Sequence, residues 1–402
     1  MKTYGELLRT PGVARLLFAQ LVARFPGGML SLGLLIHIEG IFHSYGAAGL
    51  VLASLRIGQA VAGPLTSRWM GIWRMRPVLI LTTAVCSVAL AVLAFGQLPL
   101  PGFMAVALVT GLSFPPIQPA VRTVYPKVVN SRQLTPLFSL DASAQEIIWV
   151  AGPVIVTFVA TQISSTAGIL MSLLFLVGGG IWFISSPELG RVRIPRSKRR
   201  FGVVLAKPSV LLITIVGILL VGSFAATEAG VVSMFGDGSP ESGFALAIFA
   251  LASLAGGLAF GHLPVSPWAL ARRMSVILVG SILAALAFEF WTLSAALVIA
   301  GLCVAPALAV MFAAVSSSVR FSDTAEAYGW VGTGQLLGAA LGSAVAGFLI
   351  DAGGPDGGFW TAAGLAAAAV LLAVVFHRAI PDLRGRDASP IPDTEPIPMQ
   401  PS

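Results

Sequence analysis

The stretch Glu188-Leu189-Gly190-Arg191-Val192-Arg193-Ile194-Pro195-Arg196-Ser197-Lys198-Arg199-Arg200-Phe201-Gly202-Val203-Val204-Leu205-Ala206-Lys207 holds seven of the 24 Lys and Arg residues of a 402-residue chain. On both sides of it the sequence is almost unbroken hydrocarbon. Each Arg or Lys would cost roughly 2.5–3.5 kcal/mol at the centre of a bilayer, so this block belongs in water, and the enrichment of basic residues in cytoplasmic loops assigns that water to the cytosol. The stretch therefore reads as a cytosolic connector between two membrane-embedded parts of similar length.

Composition agrees. Only 10% of residues are charged and 56% are apolar, against about 25% charged in soluble domains. So little polar surface cannot cover a water-soluble globule, and the chain reads as an all-α integral membrane protein. A net charge of +7 could point to nucleic acid, but the basic residues sit in short loops between apolar runs, where membrane orientation accounts for them. Cys86 and Cys303 fall inside apolar runs as packing residues, with no metal or redox spacing. The first apolar run is too long for a signal-peptide core and lacks a cleavage site.

A span needs about 20 mainly apolar residues, and twelve runs qualify, at about 13–36, 46–66, 77–97, 101–121, 138–160, 165–185, 208–232, 242–262, 273–292, 294–315, 328–350 and 358–377. Six precede the connector and six follow it. Lys2, Arg9 and Arg15 lie before or at the opening of the first span. Arg68, Arg74 and Arg76, then Arg122, Lys127 and Arg132, then Arg272 and Arg273, then Arg320, and finally Arg378, Arg384 and Arg386 occupy connections on the same side. The alternate connections carry none. With the connector, 22 of the 24 basic residues face one compartment, leaving Arg24 and Arg56 inside spans. The expected topology is multi-pass in the cytoplasmic membrane, with both termini cytosolic. The expected units are an amino-terminal bundle (1–187), the basic linker (188–207), a carboxy-terminal bundle (208–380) and a disordered tail (381–402), dispensable for transport.

An internal repeat is visible. Gly111-Leu112-Ser113-Phe114-Pro115-Pro116 in the fourth span matches Gly301-Leu302-Cys303-Val304-Ala305-Pro306 in the tenth at an offset of 190. Gly49, Ala53 and Gly63 match Gly243, Ala247 and Gly257 at an offset of 194. Repeats of this kind are a hallmark of transporter folds.

Twelve spans, a six-plus-six repeat, inside termini and a long basic central loop resemble the major facilitator superfamily over residues about 10 to 380. Leu140-Asp141 with Glu146 and Gly152-Pro153, together with Thr324-Ala325-Glu326-Ala327, resemble actinobacterial members grouped with drug or sugar efflux proteins. The family's loop motif Gly-x-Leu-Ala-Asp-Arg-x-Gly corresponds to Gly63-Pro64-Leu65-Thr66-Ser67-Arg68-Trp69-Met70-Gly71. Ser67 stands where the resemblance places a latching Asp, so that latch is expected to be altered, with Gly63 and Arg68 retained for gating. Gly152-Pro153 is what remains of the family's antiporter signature, and the resemblance implies a gating role for these two residues as well.

Charged residues within spans mark a pathway or its gates by default. Gln20, Arg24, Gly28 and Ser31 share one stripe of the first span, and the resemblance implies that this span lines the cavity. Arg24 is thus a candidate for substrate binding or coupling, or else a structural ion pair. Asp141 and Glu146 are about 140° apart around one helix and cannot address the same group. Glu146 lies deeper. Poised between burial and a nearby arginine, it is expected to load and release a proton, whereas Asp141 pairs with Arg122 or Arg132. A static charge clamp is the alternative for both. Glu228, near Ser223 and Thr227, is a candidate for solute recognition.

Arg56 belongs with Gly49, Ala53, Ala60 and Gly63, a small-residue face that is expected to bring Arg56 against another helix as a gate or clamp. Gly334, Gly338, Gly342 and Ala346 form a matching ridge, and the resemblance implies that the two faces meet. Pro115, Pro116, Pro119 and Pro306 should bend two cavity helices. Gln118 would then line the path, with Phe114, Trp149 and Trp330 as an apolar wall.

The implied activity is secondary active transport by alternating access, with outward movement of a small organic solute in exchange for protons. The alternatives are proton-linked uptake and a transporter-derived receptor or scaffold. A membrane enzyme is disfavoured: His37, His43, His262 and His377 are scattered, and no Ser-His-Asp set, metal cluster or phosphate loop is present. No cofactor and no nucleic acid are expected. A solute, protons and the lipid bilayer are the expected partners of a monomer.

Overall fold

A computed structural model describes residues 2–197, 199–236, 239–287 and 289–393. Twelve long helical segments follow a short amino-terminal helix, Lys2–Arg9. They are α1 (Val13–Phe42), α2 (Tyr45–Trp73), α3 (Met75–Phe95), α4 (Leu100–Val128), α5 (Ser131–Gln162) and α6 (Ser165–Ser185). After the connector come α7 (Pro208–Phe235), α8 (Pro240–Phe260), α9 (Ala269–Ala285), α10 (Phe290–Ser318), α11 (Phe321–Gly353) and α12 (Asp356–Val375). Eleven are long and apolar enough to cross a bilayer. The exception is α9, at 17 residues with Arg272 and Arg273 in its first turns.

The turns between helices are short and capped. Ser44, Asn130, Ser164 and Ser239 each accept a hydrogen bond from the backbone N–H three residues on, at 3.0–3.2 Å, satisfying donors that a helix start leaves open. The prolines act as expected. α4 breaks between Leu112 and Ile117 across Pro115-Pro116, and α10 breaks at Leu302-Cys303, just before Pro306. α1 is also interrupted, at Phe25 before Pro26.

α1–α6 pack with one another, as do α7–α12. The repeat read from the sequence appears as equivalent close approaches. Gly58 of α2 meets Gly111 of α4, and at the matching positions Ala252 of α8 meets Gly301 of α10. The bundles meet through α2 with α11, α5 with α8 and α10, and α4 with α11. The largest apolar core joins the two bundles on the connector side, through Leu137, Phe138, Met311, Phe312 and Tyr328, and continues through the second bundle to its far end at Val231, Ala245, Leu293 and Phe359. On the opposite side the apolar cores stay within one bundle each, around Leu34, Leu90 and Phe103 in the first and Ala226, Ala346 and Ala362 in the second. Apolar packing therefore joins the two bundles at the connector side, and toward the other side the cores of the two bundles stay separate.

Three expectations are corrected. Gly334, Gly338 and Gly342 do not meet α2; they pack on Thr214, Ile218 and Gly222 of α7. Residues 333 and 334 point about 100° apart on a helix, and it is Gly329 and Thr333 that face Gly63. Arg122, assigned to a loop, lies inside α4 and is only 2% exposed. The tail, expected to lack structure from residue 381, is docked as far as it is described: Leu383 N donates to Val265 O at 2.8 Å, and Ile391 exchanges backbone hydrogen bonds with Val319 and Phe321 at 2.9 and 3.0 Å. Leu383 and Ala388 are buried, and these apolar anchors are what a composition rich in Pro, Asp and Ser conceals. Residues 394–402 lie outside the described part.

Candidate functional site

α1, α4 and α5 bring Arg24, Arg122 and Asp141 together in the buried interior of the first bundle. Asp141 is fully buried. Its Oδ1 accepts from Arg24 Nη1 and from the Tyr125 hydroxyl, both at 3.1 Å. Its Oδ2 accepts from Arg122 Nε at 2.9 Å. Arg24 also donates to Gln20 Oε1 at 2.9 Å and to Gln145 Oε1 at 2.5 Å. Gln118, with its amide oxygen turned inward, accepts from Arg122. The guanidinium carbon of Arg122 lies 3.3 Å from the ring centre of Phe312, across the seam on α10, an orientation in which the ring face attracts the cation. Two guanidinium groups share one carboxylate, so the cluster holds one positive charge in excess. Gln20 Nε2 is buried with no partner among the described residues.

Glu146 points elsewhere, as its angular offset from Asp141 requires. Its Oε1 accepts from Ser253 Oγ of α8 at 2.9 Å, and that same hydroxyl accepts from Ala305 N at 3.2 Å. The break in α10 frees the Ala305 N–H, and Ser253 both satisfies it and ties it to Glu146. No arginine lies within 4 Å of Glu146 among the described residues.

Arg56 stays within its own bundle. It donates to Gln59 Oε1 at 3.0 Å and to Ser31 Oγ, and among the described residues no carboxylate lies within 4 Å of it.

The connector-side seal is polar at its rim. Arg68 Nη1 donates to Glu326 Oε2 at 2.5 Å across the two bundles, and Glu326 Oε1 accepts from Gly202 N at 2.7 Å. Gly202 has φ +82°, a backbone that glycine adopts without strain. Asp323 accepts from Ser197 Oγ at 2.5 Å and lies 3.8 Å from Arg199 Nε. Ser67 donates only to Gly63 O within its own helix; the carboxylate paired with Arg68 comes from α11. At the crossing, Thr333 Oγ1 donates to Ala60 O at 2.7 Å. On the other flank, Tyr4 and Ser139 both donate to Gly257 O, at 3.1 and 2.7 Å.

The remaining candidates are dispersed. Trp330, expected in a cavity wall, instead packs on Phe201 of the connector, with ring centres 5.6 Å apart. Its position early in α11 puts it beside the seal. Trp149 is 42% exposed on α5. Gly152, beside Pro153, meets Gly28 of α1 within one bundle rather than across the seam. Glu228 is exposed on α7. Its expected companions Ser223 and Thr227 are spent on the carbonyls of Ala362 and Ser223 at 2.9 Å. The sequence reading missed Tyr125, Gln145, Ser253 and Asp323, ordinary polar residues whose partners lie on other helices.

Two six-helix bundles joined at one end, with a buried ionic cluster between apolar walls, make up a membrane transporter fold. The Major Facilitator Superfamily profile matches residues 16–288 and 235–397, and the chain belongs to that family. No curated protein matches the sequence. Among solved structures, the human organic anion transporter MFSD10 (TETRAN) superposes with a TM-score of 0.72 at 16% identity, covering 90% of this chain and 99% of the other. A bacterial homologue of the iron transporter ferroportin, in an outward-facing state, gives 0.71 at 13%, covering 91% and 99%. The proton:xylose symporter XylE, bound to 6-bromo-6-deoxy-D-glucose, gives 0.70 at 12%, covering 94% and 97%. At these identities the likeness is one of fold.

Proposed function

We propose that the chain is a secondary active transporter in the cytoplasmic membrane, with both termini and the basic connector cytosolic. It moves a small organic solute by alternating access, and residues 1–187 and 208–380 rock as two bodies. The observation that carries this reading is the asymmetry of the seam: a shared core with polar clasps at the connector side, and separate cores beyond it. A central site would then open outward in this conformation. Proton-coupled efflux is the preferred cycle. Glu146 supports it, because this carboxyl lies at the seam and is held by a hydroxyl of the opposite bundle, so that its surroundings change when the bundles part.

Purified protein in sealed vesicles tests the reading. A pH gradient is imposed and a panel of organic solutes is screened for flux. Gradient-driven movement that a protonophore collapses is the expected result. Absence of flux for every solute would turn the reading toward a receptor or scaffold, and accumulation in the direction of proton entry would make the protein an uptake symporter. Orientation is checked with Ser197→Cys, which an impermeant thiol reagent should fail to label from outside intact cells.

A further inference from the structure

Arg56 sits about 17 Å from the Tyr45 end of α2, near mid-bilayer. A guanidinium at that depth is normally paired with a carboxylate or placed on a solute path. Arg24 and Arg122 share Asp141, and Arg68 has Glu326. Among the described residues, Arg56 has only the neutral oxygens of Ser31 and Gln59. Each terminal nitrogen uses one N–H on these two, which leaves one N–H on each and the Nε–H unspent. The unspent donors form the planar fork that matches a carboxylate, sulfonate or phosphate.

Its place on α2 gives this fork something to meet. Arg56 shares a face with Ala60 and Gly63, which touch Thr333 and Gly329 of the opposite bundle. Arg56 is one turn, about 6 Å, farther from the connector than Ala60, beside the first bundle's own apolar core, which includes Leu55 and Leu30 and does not join that of the second bundle. Ser31 lies on the same stripe of α1 as Arg24, about 10 Å away along the helix. The Arg24–Arg122–Asp141 cluster with its excess positive charge, and Gln20, whose Nε2 has no partner among the described residues, therefore stand next along the stripe. A low-dielectric cleft ending on one sign of charge concentrates solutes of the opposite sign.

We propose that Arg56, held by Ser31 and Gln59, is the recognition point for the anionic group of the transported solute, so that the substrate is a small organic anion. The inference rests on the transport reading, but its test is an equilibrium measurement that needs no turnover, so failure of one is separable from failure of the other.

Full-length protein in phosphatidylcholine nanodiscs is titrated with benzoate, benzenesulfonate, benzamide and benzylamine, and binding is followed by the shift in thermal unfolding midpoint. Both anions should stabilise the protein, while the neutral amide and the cationic amine should not. Arg56→Gln should weaken anion binding by about 10-fold or more, the scale of one lost charge-assisted contact. Arg56→Lys should retain part of it, which guards against a merely misfolded Gln variant, and Ser31→Ala should weaken it less than Arg56→Gln. Displacement of benzoate when phosphatidylglycerol is added to the nanodiscs would assign the same anionic recognition to a lipid headgroup. Equal stabilisation by benzamide or benzylamine, stabilisation by neither anion, or anion affinity unchanged in Arg56→Gln would overturn the proposal.

Discussion

Arg68 and Glu326, 258 positions apart in the chain, form a 2.5 Å ion pair that joins the two bundles at the connector side. Ser67 bonds only within its own helix among the described residues, and the carboxylate that meets Arg68 comes from α11 of the opposite bundle. Glu326 is almost fully buried and also receives the Gly202 amide, so a single carboxylate ties α2, α11 and the connector together.

Neutralising that carboxylate should loosen the seal without unfolding either bundle. Arg68 is partly exposed, so the loss lies between that of a surface pair and a buried one, about 1–3 kcal/mol. Glu326→Gln should therefore raise the population open to the connector side by about 5-fold or more. Ser143→Cys, whose hydroxyl is buried at the seam, reports this opening: thiol labelling from the connector side should accelerate in the Glu326→Gln background and stay slow in its absence.

Gly257 provides the complementary test, since it holds the seam together by having no side chain. A Cβ there would meet Ala305 at 3.0 Å and the Ser143 side chain more closely still. Gly257→Val should hold the bundles apart at the connector side while each stays folded. The expected signature is fast labelling of Ser143→Cys from that side, loss of solute flux, and an unfolding midpoint close to that of the parent.

Asp141 should be the most costly of the intramembrane acids to neutralise. It is fully buried and holds two arginines and a tyrosine. Asp141→Asn leaves both guanidinium groups without a counter-charge, a loss of about 3–5 kcal/mol. Adding Arg24→Gln to Asp141→Asn should restore part of the stability, because it removes one of the stranded charges. Chemical denaturation of the detergent-purified variants checks the order: single variant least stable, double variant intermediate.

Glu146→Gln should behave in the opposite way. The amide oxygen of Gln can still accept from Ser253 Oγ, so packing and the α10 break are preserved. What is lost is the exchangeable proton at the seam. Stability should change by less than about 1 kcal/mol, and flux in vesicles should no longer respond to an imposed pH gradient while exchange without a gradient continues. A gradient response of normal size would remove Glu146 from coupling.

How much of this was legible in the sequence follows from the range of each signal. Hydropathy and loop charge are local, and they found the spans. The repeat pointed to two homologous halves, which the structure shows in the equivalent approaches Gly58–Gly111 and Ala252–Gly301, and the prolines marked the interruptions of α4 and α10. Partnership across bundles has no local signal. Thr324-Ala325-Glu326-Ala327 was noticed only as a resemblance, because nothing near Glu326 in sequence names Arg68. Arg122 was misassigned because a charged residue at the edge of an apolar window is indistinguishable from the first residue of a loop, until Asp141 is seen to meet it. Ser253 gave no signal, its role being set by a backbone break 52 residues away.

The tail gives the last prediction, and one that reverses the sequence reading. Asp393 accepts from the Ser322 hydroxyl at 2.6 Å and from the Ser322 amide at 3.2 Å. Ile391 is bonded on both sides of Arg320. These contacts fix the turn Phe321–Asp323, which opens α11 and directly precedes the carboxylate paired with Arg68. A chain ending at Asp382 should therefore remain folded, with each bundle keeping its own core, but lose the anchor of that turn. The expected result is a lower unfolding midpoint and faster connector-side labelling of Ser143→Cys. Asp393→Asn should give a smaller shift in the same direction, since an amide keeps one acceptor and only the charge assistance is lost, about 1 kcal/mol. Labelling and midpoint unchanged by the truncation would show that the docked tail leaves the seal untouched.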